Sequence, residues 1–263
     1  MNLLKLRAQT LRARNFATKL FLGCILTGLS IQSQATIVQF ETNLGNFEVN
    51  LYDEGTPETV ANFLAYVNAG SYDSSVIHRS VPGFIVQGGG FKYDTEWPVV
   101  GIEANAAVIN EPVYSNVRGT IAMAKLGNDA NSATNQWFFN LADNSLNLDR
   151  QNSGFTVFGT VTGDGMDIID SMADVERYNF GSPLNEIPLQ NYDTANTPDD
   201  TNLLIITSIQ IIDADVASAS GLTKPENIGP AVIPEPEESS SGGGSANWFL
   251  LLLLLMAGNR RNR

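Results

Sequence analysis

Within Val76-Ile77-His78-Arg79-Ser80-Val81-Pro82-Gly83-Phe84-Ile85-Val86-Gln87-Gly88-Gly89-Gly90, one arginine, one glutamine and one phenylalanine stand among apolar residues that read as sheet. Arg79, Phe84, Ile85 and Gln87 together can line a groove that is apolar at its floor and cationic at its wall. Such a groove suits a ligand that carries a greasy ring beside an amide. His78 is the only histidine, so a histidine-based triad has one candidate base and a zinc site needing several His or Cys ligands cannot be built. Gly88-Gly89-Gly90 is followed by no Gly-Lys-Ser/Thr and opens no helix, so a sharp bend with close backbone approach is expected rather than a phosphate cradle.

The two ends set the boundaries of what can fold. Residues 1–35 carry Lys5, Arg7, Arg12, Arg14 and Lys19, no acid, an apolar run from Leu20 to Ile31, and then Ser33-Gln34-Ala35. This is the layout of a secretory signal peptide with a long basic leader, and Thr36 is the expected mature start. The leader has no Arg-Arg pair, which disfavours a twin-arginine route. Too little apolar sequence separates Lys19 from Cys24 for a good lipoprotein signal. Cys24 is the only cysteine, so a chain cleaved after Ala35 has neither disulfides nor thiolate chemistry.

At the other end, residues 216–247 read as a linker rich in Pro, Glu, Ser and Gly, and 248–263 as a short apolar segment with a basic end. Trp248 to Gly258 would make a helix of about 17 Å at about 1.5 Å per residue. A bilayer core is about 30 Å thick, so the segment is a marginal span. Its glycine cluster, apolar run and Arg260, Arg261 and Arg263 resemble the GlyGly-CTERM sorting tail of Gram-negative bacteria. That resemblance implies transient anchoring followed by cleavage by a rhomboid-type protease. A simple C-terminal membrane anchor is the alternative.

Without leader and tail, seven basic residues face 28 acids, a net charge of −21. A body that acidic repels phosphate backbones and anionic lipid, so nucleic-acid binding is disfavoured. Asp193, Asp199 and Asp200 lie in a polar loop over 179–202, and their spacing matches no calcium loop.

Residues 36–215 are left to make one domain. Val38 and Phe40 alternate with polar neighbours, Asn43-Leu44-Gly45-Asn46 turns, and Phe47, Val49 and Leu51 alternate again, which predicts a hairpin. Thr56 as cap, Pro57 at the first position and Val60, Phe63, Leu64 and Val67 on one face predict a helix ended by Gly70. Short strands are expected at 76–78, 85–87, 120–124, 136–140, 156–161 and 203–212, with a short helix at 166–172. Many short strands, glycine turns and two helices read as an all-β barrel with helices over its open ends.

A second segment runs from Arg118-Gly119-Thr120-Ile121-Ala122-Met123-Ala124-Lys125 to Asn131-Ser132-Ala133-Thr134-Asn135-Gln136-Trp137-Phe138-Phe139-Asn140. Asn147-Leu148-Asp149 and Gly154-Phe155-Thr156-Val157-Phe158-Gly159 follow. Together with His78-Arg79 and the Gly83-Phe84 to Gln87 run, these resemble the motifs of the cyclophilin family, in order, over nearly all of 36–215. The resemblance implies a closed eight-stranded antiparallel β-barrel capped by two helices. It also implies peptidyl-prolyl cis-trans isomerase activity on proline-containing polypeptides, with no metal or cofactor.

Carried over residue by residue, it makes Arg79 the catalytic arginine and gives Gln87 a substrate carbonyl. Phe84, Ile85, Phe138 and Phe155 would form the proline pocket, and the backbones of Ala124 and Lys125 would dock an extended peptide beside Gln136. Ile85 stands where the family often has methionine, Lys125 where it often has asparagine, and Phe155 where it usually has histidine or tyrosine. The family's cyclosporin-favouring tryptophan has no clear match, since Leu146 or Asn147 falls near its place. The leader points to clients among exported proteins, in the periplasm or at the cell surface. A non-catalytic module that binds proline peptides at the envelope is the rival reading.

Overall fold

A computed structural model describes residues 36–214 and 222–229. The expected leader, most of the expected linker and the C-terminal apolar segment lie outside the described residues. Among the described residues no helix is long and apolar enough to cross a membrane.

The chain opens with the predicted hairpin, β1 (Ile37–Thr42) and β2 (Phe47–Leu51). Phe40 and Phe47 are cross-strand partners whose rings stack with centroids 4.9 Å apart. Helix α1 (Pro57–Asn68) follows, then β3 (Ser75–Val76), β4 (Arg79–Val81), β5 (Ile85–Gly88), β6 (Phe91–Lys92) and β7 (Val100–Gly101). Next come β8 (Thr120–Met123), β9 (Trp137–Asn140), the single-turn α2 (Ser145–Leu148), β10 (Val157–Thr162) and α3 (Gly165–Asp174). Strands β11 (Arg177–Tyr178), β12 (Ile187–Pro188) and β13 (Ile205–Asp213) complete the fold.

Eleven strands form one antiparallel sheet in the order β4-β5-β9-β8-β10-β2-β1-β13-β3-β6-β7, and β11 pairs with β12 separately. The sheet curls. β3 pairs with β13, β4 pairs with β5, and only Ile77 and His78 separate β3 from β4. The Ile77 N–H donates to the Leu204 carbonyl on one side, and the His78 N–H to the Gln87 carbonyl on the other. Inside the curl, Phe40, Phe47, Trp137, Phe139 and Phe158 pack with Phe63 and Tyr66 of α1 and with Ile169 and Met172 of α3.

Helix α1 buries Val60, Phe63 and Val67 as its spacing predicts, together with Tyr66, while Leu64 is only half-buried. Its start differs from expectation. Thr56 occupies the cap position, but its hydroxyl donates back to the Tyr52 carbonyl and does not cap the helix. The cap comes instead from Glu111, whose carboxylate accepts from the N–H groups of Glu58 and Thr59 at 3.3 and 2.9 Å and from the Thr59 hydroxyl at 2.7 Å. A carboxylate at a helix N-terminus satisfies otherwise orphaned donors and is worth about 1 kcal/mol. It ties the loop before β8 to α1.

Residues 222–229, inside the stretch expected as linker, lie against the body. The Ser115 N–H donates to the Pro225 carbonyl at 2.8 Å, and the Asn227 N–H to the Val113 carbonyl at 2.9 Å. Asp193 and Asp199 accept hydrogen bonds from the backbone N–H groups of Ala195 and Thr201, so their carboxylates fold their own turns.

Candidate active site

Strand periodicity places the residues that could do chemistry. In β9, Trp137 and Phe139 point into the main core, so Phe138 faces the opposite side of the sheet. In β8, Ile121 and Met123 point inward and Ala122 outward; in β5, Val86 points inward and Ile85 outward. The register then aligns one row across five strands, in which Arg79 pairs with Gln87, Gln87 with Phe138, Phe138 with Ala122, and Ala122 with Val157. The polar end of this row is Arg79 and Gln87, and the apolar end is Phe138, Ala122 and Val157.

At the polar end the side chains form a connected chain. Arg79 Nη1 donates to Gln87 Oε1 at 3.5 Å, and Gln87 Nε2 donates to Gln136 Oε1 at 2.9 Å. Arg79 Nε donates to Glu186 Oε2 at 2.9 Å. Gln87 is buried and Arg79 is half-buried, so the guanidinium sits at the border between core and solvent.

At the apolar end, Ile85, Ala122, Phe138, Leu148, Phe155 and Val157 make a second cluster, with Phe84 packed at its edge. The Phe138 and Phe155 rings meet edge-to-face, centroids 5.8 Å apart. All four pocket residues expected from the sequence are thus brought together on the side of the sheet that carries Gln87. Their backbones are pinned by buried amides. Asn144 Nδ2 donates to the Phe84 carbonyl and to Asn140 Oδ1, Asn140 Nδ2 donates to Asn116 Oδ1, and Asn116 Nδ2 donates to the Phe155 carbonyl.

Ala124 and Lys125 follow β8 beside this cluster. The Ala124 N–H already donates to the Gln136 carbonyl at 2.9 Å, so what Ala124 can offer a peptide is its carbonyl. Lys125 contributes more than backbone. Its ammonium is buried, donates to Asn110 Oδ1, Asn152 O and Gly154 O, and sits 4.8 Å from the centroid of the Phe155 ring. Burial pushes its pKa down to about 8. The residue thereby fixes the loop that presents Phe155.

His78 is 2% exposed and packs edge-on against Phe91. Burial, and after it the charge of Arg79, push its pKa down to about 4 from the ordinary 6.5. The imidazole is therefore neutral at physiological pH and is part of the scaffold. Because the folded-state pKa is depressed, the folded protein binds fewer protons than the unfolded chain between these values. The stability linked to His78 is complete above about pH 6.5 and is lost as pH falls towards 4. At about 1.36 kcal/mol per pH unit, the expected loss between pH 7 and pH 5 is about 2 kcal/mol. Urea unfolding at both pH values should show this loss in the wild type and not in His78→Gln; equal losses in the two proteins would contradict it.

Sequence reasoning did not find Glu186, Asn116, Asn144 or the side-chain role of Lys125. Glu186 lies 107 residues from Arg79, and nothing local marks it. The buried asparagines carried a signal, since an amide such as Asn140 within Gln136-Trp137-Phe138-Phe139-Asn140 must find partners if its strand is covered on both faces.

A family model described as "Cyclophilin type peptidyl-prolyl cis-trans isomerase/CLD" matches residues 37–194. A peptidyl-prolyl cis-trans isomerase of Acinetobacter baylyi is 40% identical over 173 residues, covering 63% of this chain and 88% of the relative. Peptidyl-prolyl cis-trans isomerase A of Dickeya dadantii is 37% identical over 182 residues, covering 65% of this chain and 92% of the relative. Among solved structures, a cyclophilin type peptidyl-prolyl cis-trans isomerase of Cryptosporidium parvum superposes with a TM-score of 0.50 at 22% identity. That match covers 68% of this chain and 98% of the other, and it is a likeness of fold.

Proposed function

The chain belongs to the cyclophilin-type peptidyl-prolyl cis-trans isomerase family and is an enzyme of that class, and we propose that it isomerises X-Pro bonds in exported proteins with Arg79 as the catalytic residue. The observation that carries the assignment is the cross-strand row that sets the Arg79 guanidinium and the Gln87 amide beside the Phe138 pocket.

Peptide resonance gives the C–N bond a rotation barrier of about 18–20 kcal/mol, and X-Pro bonds isomerise unaided in tens to hundreds of seconds. No bond breaks, so no nucleophile is needed. Phe84, Ile85, Phe138 and Phe155 hold the proline ring while the rest of the amide turns. As the bond twists, the prolyl nitrogen pyramidalises and its lone pair becomes an acceptor. The Arg79 guanidinium donates to that nitrogen and weakens the C–N double-bond character. It therefore binds the twisted state more tightly than either planar state, which is the condition for catalysis. Arginine suits the task because it stays charged and presents donors in a fixed fork. Gln87 Nε2 carries two hydrogens; Gln136 takes one, and the other holds a substrate carbonyl. The Ala124 carbonyl and the Lys125 backbone dock the peptide in extended form beside Gln136.

Two further readings rest on other observations. The single stretch 75–81 pairs with β13 through β3 and with β5 through β4, which supports closure into an eight-stranded barrel over β4-β5-β9-β8-β10-β2-β1-β13. The basic leader and apolar run of residues 1–35 support export, and residues 248–263 support transient membrane attachment in the envelope with rhomboid-type cleavage.

The activity test is cis–trans exchange of a short X-Pro peptide, which the wild-type chain should accelerate well above the thermal rate. No acceleration would overturn the assignment. Localisation is tested by fractionating cells that express the chain with and without residues 248–263. The deletion should release the protein from membranes, and unchanged membrane association would refute an anchoring role.

A further inference from the structure

Glu186 is the one carboxylate among the described residues that makes an ion pair with Arg79, and it comes from a part of the chain that no catalytic reading requires. It precedes β12, in the segment that pairs with β11 and joins α3 to the long loop before β13. Two contacts hold it against β4. Its backbone carbonyl accepts from the Ser80 N–H at 2.9 Å, and its side chain accepts from Arg79 Nε at 2.9 Å. The first contact fixes the position of the second, because Ser80 follows Arg79 on the same strand. Ile187, the next residue, is fully buried and anchors the segment.

A fully exposed ion pair contributes only about 0–1 kcal/mol to stability, and solvent also screens a partly exposed one. The side chains of Arg79 and Glu186 are 24% and 35% exposed, so a stabilising role is a weak account of the contact. Geometry gives a stronger one. An arginine side chain is long and rotamer-rich, and a guanidinium free in solvent would lose orientational freedom each time it met a twisted amide. Here Nε is committed to Glu186 at 2.9 Å and Nη1 lies 3.5 Å from Gln87 Oε1, so two nitrogens of the planar fork already have partners. The plane of the guanidinium is set before substrate arrives.

We propose that Glu186 is a positioning residue for the isomerisation, which holds the Arg79 guanidinium in the orientation that meets the prolyl nitrogen. The proposal rests on Arg79 being the catalytic residue. Glu186 itself touches no substrate. Its carboxylate works as a hydrogen-bond acceptor, so an amide of the same shape keeps most of the effect and a methyl group keeps none.

The test uses the full chain and four proteins: wild type, Arg79→Ala, Glu186→Ala and Glu186→Gln. Cis–trans exchange of an X-Pro peptide gives turnover and affinity separately, and the nitrogen-15 resonance of Arg79 Nε reports the hydrogen bond directly. Glu186→Ala should lower kcat about tenfold with KM within about twofold, and should shift the Nε resonance or broaden it by faster exchange with water. Glu186→Gln should stay within about threefold of wild type. A purely structural tie would lower the unfolding midpoint of Glu186→Ala and leave kcat unchanged, which would overturn the proposal. If Arg79→Ala retains activity, the assignment of the catalytic residue fails. If Arg79→Ala is inactive while Glu186→Ala turns over like wild type, only the positioning role fails.

Discussion

Arg79→Ala should lower kcat/KM for an X-Pro peptide by about 100-fold or more while the protein stays folded. Removing one donor aimed at charge that develops only in the transition state typically costs about 10²–10³ in rate. The donor in question is half-buried at the end of the Arg79–Gln87–Phe138 row, where solvent screens it less than at an open surface. The fold does not depend on it. Arg79 lies outside the apolar clusters, and its ion pair with Glu186 is partly exposed. The unfolding midpoint should therefore move little. Arg79→Lys should recover only part of the rate, because an ammonium keeps the charge and loses the planar fork. The check is a peptide exchange assay combined with urea unfolding. A folded Arg79→Ala protein with wild-type turnover would remove the chemistry proposed for this groove.

Gly89→Ala should destabilise the fold by about 3 kcal/mol, through backbone strain and overpacking together. Gly89 has φ +76°, a region that side-chain-bearing residues rarely adopt. A Cβ there would lie 2.6 Å from the Asn135 carbonyl oxygen and 2.6 Å from Trp137 Nε1. Neither neighbour can yield cheaply, since one is backbone and the other is a fully buried ring wedged against Phe40, Tyr72 and Phe139. Its two neighbours are constrained by the same approach. A Cβ on Gly88 would meet Trp137 Cη2 at 2.6 Å, and one on Gly90 would meet Gln136 Cδ at 2.8 Å. The Gly90 contact touches Gln136, the partner of Gln87, so crowding there reaches the site as well as the core. Urea denaturation measures the effect, and a loss below about 1 kcal/mol would contradict the close approach.

Much of this was legible in the chain itself, for identifiable reasons. The hairpin at Val38 to Leu51 follows from alternation, and the strands that carry Gln87, Phe138 and Val157 from short apolar runs bounded by turn residues; both signals are local. The triple glycine reads as close approach because glycine is needed where backbone meets a large side chain, and Trp137 is that side chain. What was not legible depends on partners distant in sequence. Thr56 looks like a helix cap by residue type, yet Glu111, 52 residues from Thr59, supplies the carboxylate. Glu186 sits in a stretch that reads as polar loop, and only the approach of the segment before β12 to β4 brings it to Arg79. Lys125 has the composition of a surface residue, and its burial follows from three acceptors converging from the loops around Asn110 and Asn152–Gly154. Likewise, the docking of residues 222–229 on Val113–Ser115 is invisible in a segment whose composition is that of a linker.

The central claim is differential binding: Arg79 holds the twisted amide more tightly than either planar form. Two-dimensional exchange NMR on a peptide with one X-Pro bond gives the bound-state interconversion rate and the affinities of the cis and trans forms in the same samples. With Arg79→Ala, the interconversion rate should fall about 100-fold while both ground-state affinities stay within about threefold of wild type. Affinities that fall in step with the rate would show that Arg79 binds the planar peptide instead, and would contradict the mechanism.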